Sequence, residues 1–337
     1  MRFNYLIKNI RVIFLIILMF SFFTSCDEGV SQTCENGRCS AEFEVSGTQY
    51  SIGDPSSAEI YMLELINRAR SNPAAEGVFL TKTGNSDVNQ SWGYFAAQNG
   101  SSFEESAAKL IEDFKKFKAR PPIAFNEKLN NAAKVGAEMQ RDNDIQDHVI
   151  NGVGPDARIT NAGYEWYSLG ENIFANSKSA LHGHAGFNID WGNGPYGIQN
   201  PAGHRTTIMD SSYKEVGIYV LTENIPSSNH TAKGPQIISQ DFASGGAGSN
   251  FITGVIYEDL NGNNFYDEGE GIQGITVSAN KGSQYYAITS TNGAYTIPIS
   301  TNLGDVKVQA FSEDMEFVRQ VKTVEIKNTN VKVDFKK

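Results

Sequence analysis

Four of the five histidines in this chain fall between residues 148 and 204, and a carboxylate lies among them. They are His148, His182, His184 and His204, with Glu171 in the stretch SLGENIFAN. Imidazoles and carboxylates that converge on a cleft can hold a divalent metal or act as acid and base on a bound water. Spacing alone leaves open the alternative of solvated histidines on loops. His182 and His184 are two residues apart and would point to different sides of a helix, so we leave both out of the candidate site.

A second set of residues begins at Asp259 and spans a twelve-residue loop. Oxygen-bearing side chains fall at positions 1, 3, 5, 9 and 12 of this loop, and the Phe265 carbonyl falls at position 7. The side chains are those of Asp259, Asn261, Asn263, Asp267 and Glu270. These spacings are typical of loops that wrap calcium. Asn264 replaces the usual glycine at position 6, and asparagine tolerates a left-handed backbone better than most residues. An acidic turn without metal is the alternative.

Helical patterns precede strand patterns along the first two thirds of the chain. In PSSAEIYMLELINRARSNPAAEG, Ser56 and Glu59 form a capping box, and apolar residues recur at helical spacing up to the Asn72-Pro73 stop. Further helices are predicted from about Phe103 and over FNEKLNNAAKVGAEMQRD, and strand-like runs follow at 215–221 and 235–243. The order predicts an α+β domain, and the glycines within 245–250 predict a hinge after it.

Residues 251–337 change to short alternating segments. Apolar residues alternate with polar ones around Ile275, Ile297, Val308 and Val333, with turn residues between the segments. No amphipathic helices flank the candidate calcium loop in this region, so we do not predict a helix-loop-helix sensor. The pattern predicts a β-sandwich.

The N-terminus has the features of an export signal. Arg2, Lys8 and Arg11 precede an apolar run from Val12 to Phe23, which is shorter than a membrane span of roughly 20 residues. Phe23-Thr24-Ser25-Cys26 resembles the lipobox of bacterial lipoproteins, which implies cleavage before Cys26 and its lipidation. An uncleaved anchor is the alternative.

Cysteine use and charge limit the class of protein further. With Cys26 lipidated, Cys34 and Cys39 remain in CENGRC, where the Asn-Gly turn could bring them together in an oxidising compartment. Two free thiols in a flexible tether over residues 26–52 are the alternative. The formal net charge of −10 and the lack of a basic stripe argue against a nucleic-acid partner.

Four motifs within residues 55–243 resemble the bacterial branch of the CAP superfamily, which includes cysteine-rich secretory and plant pathogenesis-related proteins. They are LELINRARSNPAAEG, PPIAFNEKLNNAAKVGAEMQRD, DHVINGVGPDARITNAGYEWYSLGENIFAN and PAGHRTTIMDSSYKEVGIYV. The resemblance implies an α-β-α sandwich with a cleft lined by two His and two Glu. Carried over residue by residue, this tetrad falls on His148, Glu171, His204 and Glu215. It implies zinc or magnesium, or another ligand, in the cleft.

The chain departs from the family pattern between residues 184 and 200. The stretch HAGFNIDWGNGPYGIQN replaces a short link and is rich in glycine and asparagine. A loop over the cleft is one interpretation, in which Trp191 and Tyr196 cover a ligand and Asn172 holds its neighbours by hydrogen bonds. A solvated surface loop is the other.

DLNGNNFYDEGEGIQGITV and TSTNGAYTI resemble the B-type modules of serine-aspartate repeat adhesins, which use calcium to stiffen a stalk. The resemblance implies an immunoglobulin-like or prealbumin-like sandwich over residues 251–337.

Together these patterns predict five segments and an exported, lipid-anchored binding protein. The segments are a signal peptide (1–25), a tether (26–52), a CAP domain (53–244), a hinge (245–250) and a calcium-binding β-sandwich (251–337). We expect the bacterial cell envelope, at the outer membrane or cell surface rather than the inner membrane, and a partner that is a small ligand, lipid, peptide or surface molecule. The rival hypotheses are a metal-assisted hydrolase of peptide or envelope material and an adhesin whose tetrad only supports the fold.

Overall fold

The computed structural model describes residues 34–35, 38–39, 43–222, 235–245, 250–314 and 316–337. It divides into two compact units, Met1–Glu42 and Phe43–Lys337. In the first, β1 (Cys34–Glu35) and β2 (Arg38–Cys39) pair antiparallel with Cys34 opposite Cys39. The disulfide stays a prediction, and the signal segment and Cys26 lie outside the described residues. Among the described residues, no helix is both long and apolar enough to cross a membrane.

The larger unit begins with β3 (Thr48–Tyr50) and contains eight α-helices within its described residues. They are α1 (Ser57–Ser71), α2 (Pro73–Leu80), α3 (Ser86–Gln98), α4 (Phe103–Phe114), α5 (Glu127–Asn143), α6 (Pro155–Asn161), α7 (Ala180–Ala185) and α8 (Gly203–Ile208). The predicted capping box of Ser56 and Glu59 starts α1, and Asn72 ends it and caps α2. The sequence did not predict α2, α3 or α6.

A four-stranded sheet forms the centre of the region that resembles a CAP domain, residues 53–244, called here the CAP-like region. Its order is β4-β6-β7-β5, with β4 (Ala124–Phe125), β5 (Trp166–Ser177), β6 (Glu215–Thr222) and β7 (Gln236–Gly245). Alternate residues of β7 face opposite sides, as strand geometry requires. Ile238 packs in a core with Ile60 and Met62 of α1, whereas Ala243 packs with Leu129 of α5. Helices therefore cover both faces of this sheet.

The C-terminal strands form two further sheets around one apolar cluster. One sheet has the order β13-β12-β9-β10-β3, with β9 (Thr276–Ala279), β10 (Tyr285–Ile288), β12 (Gly304–Phe311) and β13 (Gln320–Ile326). The other has the order β11-β8-β14, with β15 also on β8, and contains β8 (Asn250–Tyr257), β11 (Ala294–Ile299), β14 (Val331–Lys332) and β15 (Phe335–Lys336). Ile252 and Ile297 of this sheet pack with Val277 and Val308 of the first. The assignment to an immunoglobulin-like or prealbumin-like sandwich stays a prediction.

β8 joins the two halves of the larger unit through its buried side chains. All eight of its residues are buried. Val255 and Tyr257 belong to the core that contains Ile60 and Phe125, whereas Ile252 and Ile256 belong to the C-terminal core. The regions on either side of the predicted hinge therefore share packed surface, and hinge residues 246–249 lie outside the described residues.

Candidate functional site

His148 and Glu171 form the first imidazole–carboxylate pair. Glu171 lies within β5, and His148 lies in the connection between α5 and α6. The His148 Nδ1 and Glu171 Oε2 atoms are 2.7 Å apart. The His148 side chain is 51% exposed and that of Glu171 only 1%, so a buried carboxylate orients a partly exposed ring. The hydrogen bond to Glu171 is the main reason that the pKa of His148 is raised above its usual value.

Arg158 donates to the other oxygen of the Glu171 carboxylate. Its Nη2 donates to Glu171 Oε1, and its Nη1 donates to the carbonyls of His148 and Val153, at 3.2 and 3.1 Å. The guanidinium is buried, so it balances the buried charge of Glu171. With both oxygens engaged, Glu171 acts as a support for His148 rather than as a free metal ligand.

Asp241 is a further buried carboxyl group beside this pair. It lies opposite Glu171 in the register of β5 and β7. Its side chain is fully buried, and neither oxygen has a hydrogen-bond partner among the described residues. Burial, and then the nearby charge of Glu171, raise the pKa of Asp241 well above its usual range. No local sequence pattern marks this residue, because the strand pairing that brings it to Glu171 is long-range.

His204 and Asp190 form the second pair. The backbone N–H of His204 donates to Asp190 Oδ2 at 2.9 Å, and His204 Nδ1 lies 2.7 Å from Asp190 Oδ1. His204 lies in the first turn of α8, and Asp190 ends a π-helical turn, Gly186–Asp190. Asn172, next to Glu171 in β5, donates to the His204 carbonyl at 3.3 Å. The sequence analysis missed Asp190 because it falls in the stretch that departs from the family pattern.

His204 lines a cavity of about 570 Å³, called here the His204 cavity. Its wall includes the aromatic residues Tyr94, Phe95, Phe174, Phe187 and Trp191 and the carboxamides Gln90, Gln146, Asn176 and Gln199. Ser91, Lys178 and His182 also line it. The cavity therefore combines aromatic surface with neutral hydrogen-bonding groups.

His182 shares this cavity, although the sequence analysis set it aside. Burial lowers the pKa of His182 to about 4, so the ring is neutral at physiological pH. Its Nδ1 accepts from the Lys178 N–H at 3.3 Å, which places the ring proton on Nε2, 3.0 Å from Ser91 Oγ. In this tautomer His182 donates to Ser91 and cannot take its proton. His184 is buried against Glu76, at 2.9 Å, and supports the fold.

Glu215 and the expected cleft rim lie elsewhere than the family resemblance implied. Glu215 begins β6 and lines a different cavity, where it accepts hydrogen bonds from Asn126 and Tyr164. Asn172 is buried rather than at a rim. Trp191 lines the His204 cavity, whereas Tyr196 lines a separate groove with Arg205.

The donor set in the CAP-like region fits a metal poorly. Each paired imidazole uses Nδ1 toward a carboxylate, an arrangement that in metal sites leaves Nε2 as the ligand. Within the described part of the chain, however, no group of three or more His, Cys, Asp or Glu side chains is arranged to hold a metal ion. Zinc or magnesium in the cleft stays a prediction without a protein ligand set to support it.

The loop from Asp259 to Glu270 has the backbone conformation that the calcium spacing requires. Asn264, at position 6, has a φ of 58°, in the left-handed region. Its N–H donates to Asp259 Oδ2 at 3.0 Å, and both carboxylate oxygens of Glu270 accept backbone N–H groups of the loop, from Leu260 and Asp267. The first and last residues of the loop are therefore already folded toward its centre.

The side-chain oxygens of Asn261 and Asn263 accept the backbone N–H groups of Asn263 and Phe265, at 3.0 and 2.7 Å. The amides of Asn261 and Asn263 both donate to Asp267 Oδ2, at 2.7 and 2.6 Å. Asp259 Oδ1 is buried and has no hydrogen-bond partner among the described residues, while Lys336 holds the other oxygen at 2.7 Å. Within the described residues no group of three or more His, Cys, Asp or Glu side chains is arranged to hold a metal ion, this loop included, so calcium here stays a prediction that rests on the spacing and on the unpartnered oxygen of Asp259.

One protein family and several distantly similar structures match this chain. The sequence model of the cysteine-rich secretory protein family (CAP) matches residues 63–242. No curated protein matches the chain. Four solved chains match, among them an extracellular protein containing an SCP domain from Bacillus anthracis str. Ames and an outer surface protein from Borrelia burgdorferi.

Both structural matches are weak. Each is 14% identical to this chain, with TM-scores of 0.28 and 0.29, and they cover 42% and 48% of it. This chain spans 39% of the Bacillus protein and 95% of the Borrelia protein. Neither match supports an argument about function at these values. The family match, by contrast, extends over more than half of the chain, and the chain therefore belongs to the cysteine-rich secretory protein (CAP) family.

Proposed function

We propose that this CAP-family chain is an exported binding protein that holds a small neutral ligand in the His204 cavity. The observation that carries the proposal is the lining of that cavity, where aromatic rings and carboxamides predominate. Pockets of this kind, mostly apolar with a few placed polar groups, are typical of small-molecule sites.

The ionisable groups around the cavity already have partners, which favours an uncharged ligand. Lys178 pairs with Asp87 at 3.1 Å, and Asp190 pairs with the ring of His204. His182 is neutral because burial lowers the pKa of its ring. A ligand with a net charge would therefore enter without a counter-charge to meet it.

The wall chemistry narrows the ligand further. Aromatic faces pack against flat apolar surfaces, and carboxamides both donate to and accept from hydroxyl or amide groups. A saccharide combines a flat apolar surface with hydroxyl groups on one molecule. We therefore propose a neutral saccharide, with an uncharged peptide or a fatty acid as the alternatives to be tested.

The arrangement favours binding over hydrolysis. A serine nucleophile needs a base that accepts its proton, and His182 donates to Ser91 instead. The metal that a metal-assisted hydrolase would need has no three-residue ligand set among the described residues.

Tyr94 provides the test of this site. It lines the cavity with a side chain that is 59% exposed, so Tyr94→Ala removes an aromatic wall without opening the core. We expect affinity for neutral oligosaccharides to fall roughly 3- to 10-fold, the equivalent of about 0.5–1.5 kcal/mol for an aromatic contact. Tyr167→Ala is the matched control, since Tyr167 is also exposed but does not line the cavity.

Calorimetry on the full chain, with oligosaccharides, N-acetylated peptides and a fatty acid as separate titrants, distinguishes the outcomes. Binding of the peptide or fatty acid alone would correct the ligand class. Product formation that stops in His204→Gln would favour the hydrolase, and the absence of binding to all three would contradict the proposal.

We further propose that the Asp259–Glu270 loop binds calcium and that Cys26 carries a lipid anchor at the cell envelope. Asp259, Asn261, Asn263, Asp267 and Glu270 would hold the ion together with the Phe265 carbonyl. Calcium would neutralise the repulsion among the three carboxylates of the loop and fix its conformation. The anchor rests on the lipobox-like sequence before Cys26.

A further inference from the structure

A second large cavity lies between the CAP-family region and the C-terminal strands. Its volume is about 680 Å³. The start of α5 and the start of β6 contribute Asn126 and Glu215, whereas β3 and β10 contribute Tyr50 and Tyr285. This cavity, called here the Glu215 cavity, shares no lining residue with the His204 cavity. It depends on the packing of both regions into one unit.

Glu215 is the buried acid of this cavity. Its Oε1 accepts from the Asn126 amide at 2.7 Å, and its Oε2 accepts from the Tyr164 hydroxyl at 2.6 Å. The residue is only 6% exposed. Both of these partners are neutral, so they orient the carboxylate without balancing its charge.

The lysines that line the cavity are directed to other acceptors. Lys128 Nζ donates to the Gly163 carbonyl at 2.9 Å, and Lys214 Nζ lies 3.1 Å from Asn250 Oδ1. Within the described part of the chain, Glu215 forms no ion pair with any cationic side chain. Burial has the largest effect on Glu215 and raises the pKa of its carboxyl group, against the opposing hydrogen bonds from Tyr164 and Asn126 and the charges of Lys214 and Lys128.

Four aromatic residues line the same cavity as this acid. Tyr50, Tyr164, Phe251 and Tyr285 line the cavity, and the rings of Tyr50 and Tyr285 meet edge to face with centroids 5.7 Å apart. Aromatic faces attract organic cations, and the attraction increases when the site is shielded from water. A carboxylate in a cavity whose lining includes four aromatic rings is therefore complementary to an ammonium group on an organic chain.

We propose that the Glu215 cavity binds an organic ammonium group, with Glu215 as its counter-ion and the Tyr50 and Tyr285 rings as its walls. The ammonium group can belong to a free alkylamine or to a lysine side chain. Both share the same chemistry, and the titrants below distinguish them.

Calorimetry on the full chain at neutral pH tests the proposal with matched probes. We expect n-pentylamine to bind and n-pentanol, its uncharged counterpart, not to bind. Nα-acetyl-lysine amide against Nα-acetyl-norleucine amide repeats the comparison for a lysine side chain. Binding of only the free amine assigns the site to small amines, and binding of both assigns it to the shared ammonium group.

Two variants locate the binding. Glu215→Gln removes the charge, and we expect amine affinity to fall at least about 10-fold, or about 1.4 kcal/mol. Tyr285→Leu removes a wall without touching Glu215 and should weaken binding by several fold. Glu165→Gln, at an exposed acid of the same cavity, is the control that retains binding.

The results expected for the Glu215 cavity can be distinguished from those expected for the His204 cavity. Tyr94→Ala should leave amine binding unchanged, and Glu215→Gln should leave saccharide binding unchanged. Equal binding of pentanol and pentylamine, unchanged binding in both Glu215→Gln and Tyr285→Leu, or no binding of either amine would each overturn the proposal. Circular dichroism and melting of each variant identify loss of fold as the cause of lost binding, and Tyr285→Leu then decides the question.

Discussion

At the scale of residues, the CAP-family region holds its histidines through buried carboxylates. Glu171 contacts both His148 and Arg158, and Asp190 contacts the ring of His204. In each pair the carboxylate side chain is at most 1% exposed and the imidazole is more exposed. The acid therefore fixes the orientation of a ring that remains accessible to solvent or ligand.

His148 is expected to stabilise the protein at acidic pH. Its folded pKa is raised by Glu171, so its contribution is fully present below the unfolded pKa of about 6.5 and is lost as pH rises through the folded pKa. We predict that His148→Gln lowers the urea midpoint more at about pH 5.5 than at about pH 8.5, either side of that unperturbed pKa. An equal loss at both pH values would show that the ion pair contributes nothing.

Sequence reasoning identified some of these residues and missed others for a physical reason. Family spacing marked His148, Glu171 and His204, all of which belong to imidazole–carboxylate pairs in the structure. The acid beside His204 is Asp190, fourteen residues earlier in a π-helical turn that no periodicity predicts. Asp241 reaches Glu171 only through strand pairing. Contacts that depend on a turn geometry or on a distant strand leave no local pattern in the sequence.

At the scale of elements, close packing of α5 on the sheet depends on a glycine in β6. A Cβ on Gly217 would lie 1.9 Å from the backbone carbonyl carbon of Leu129, so one of the two elements would have to move. The N-cap of the same helix is Asn126, whose side chain also donates to Glu215. The position of α5 therefore affects both the core and the Glu215 cavity.

Gly217→Ala is predicted to destabilise the protein by roughly 1–3 kcal/mol, the usual range for overpacking of a core. Gly93→Ala is the control, since Gly93 lies inside α3 with no atom near the added methyl group. We expect that control to be neutral or to stabilise by up to about 1 kcal/mol through helix propensity. Urea unfolding monitored by circular dichroism measures both changes. Equal stability of the two variants would contradict the packing argument.

The elements that the sequence predicted are those with strong local signals. A capping box predicted the start of α1 and an apolar stripe predicted α4 from about Phe103, and both helices begin at the expected residues. The shorter helices α6, α7 and α8 contain six or seven residues each, too few for a periodic pattern to show. The parallel pairing of β3 with β10 joins residues more than two hundred positions apart, and only the folded chain reveals it.

At the scale of the whole molecule, the Asp259–Glu270 loop is part of the surface that joins the C-terminal strands to the CAP-family region. Tyr266, between two of the loop's proposed ligands, is buried in the core that contains Ile60 of α1. Phe265 packs against Tyr61 and lies 5.0 Å from the Arg68 guanidinium. Nearby, Lys332 forms a largely buried ion pair with Glu64 of α1 at 2.8 Å. A change in the loop should therefore affect both regions together.

Calcium is accordingly predicted to raise the melting temperature of residues 43–337 as one unit rather than of the C-terminal strands alone. At 100 times its dissociation constant, a ligand stabilises the native state by about 2.7 kcal/mol, which corresponds to about 5 to 11 °C at about 2–4 °C per kcal/mol. Calorimetry of the full chain in excess calcium and in chelator should show a single transition that moves by this amount. Glu270→Gln, which removes a carboxylate charge from the loop, should abolish most of the shift. A melting temperature indifferent to chelator would exclude a calcium site of this strength, whereas two separate transitions, only one of them calcium-dependent, would show that the shared core of β8 does not couple the regions.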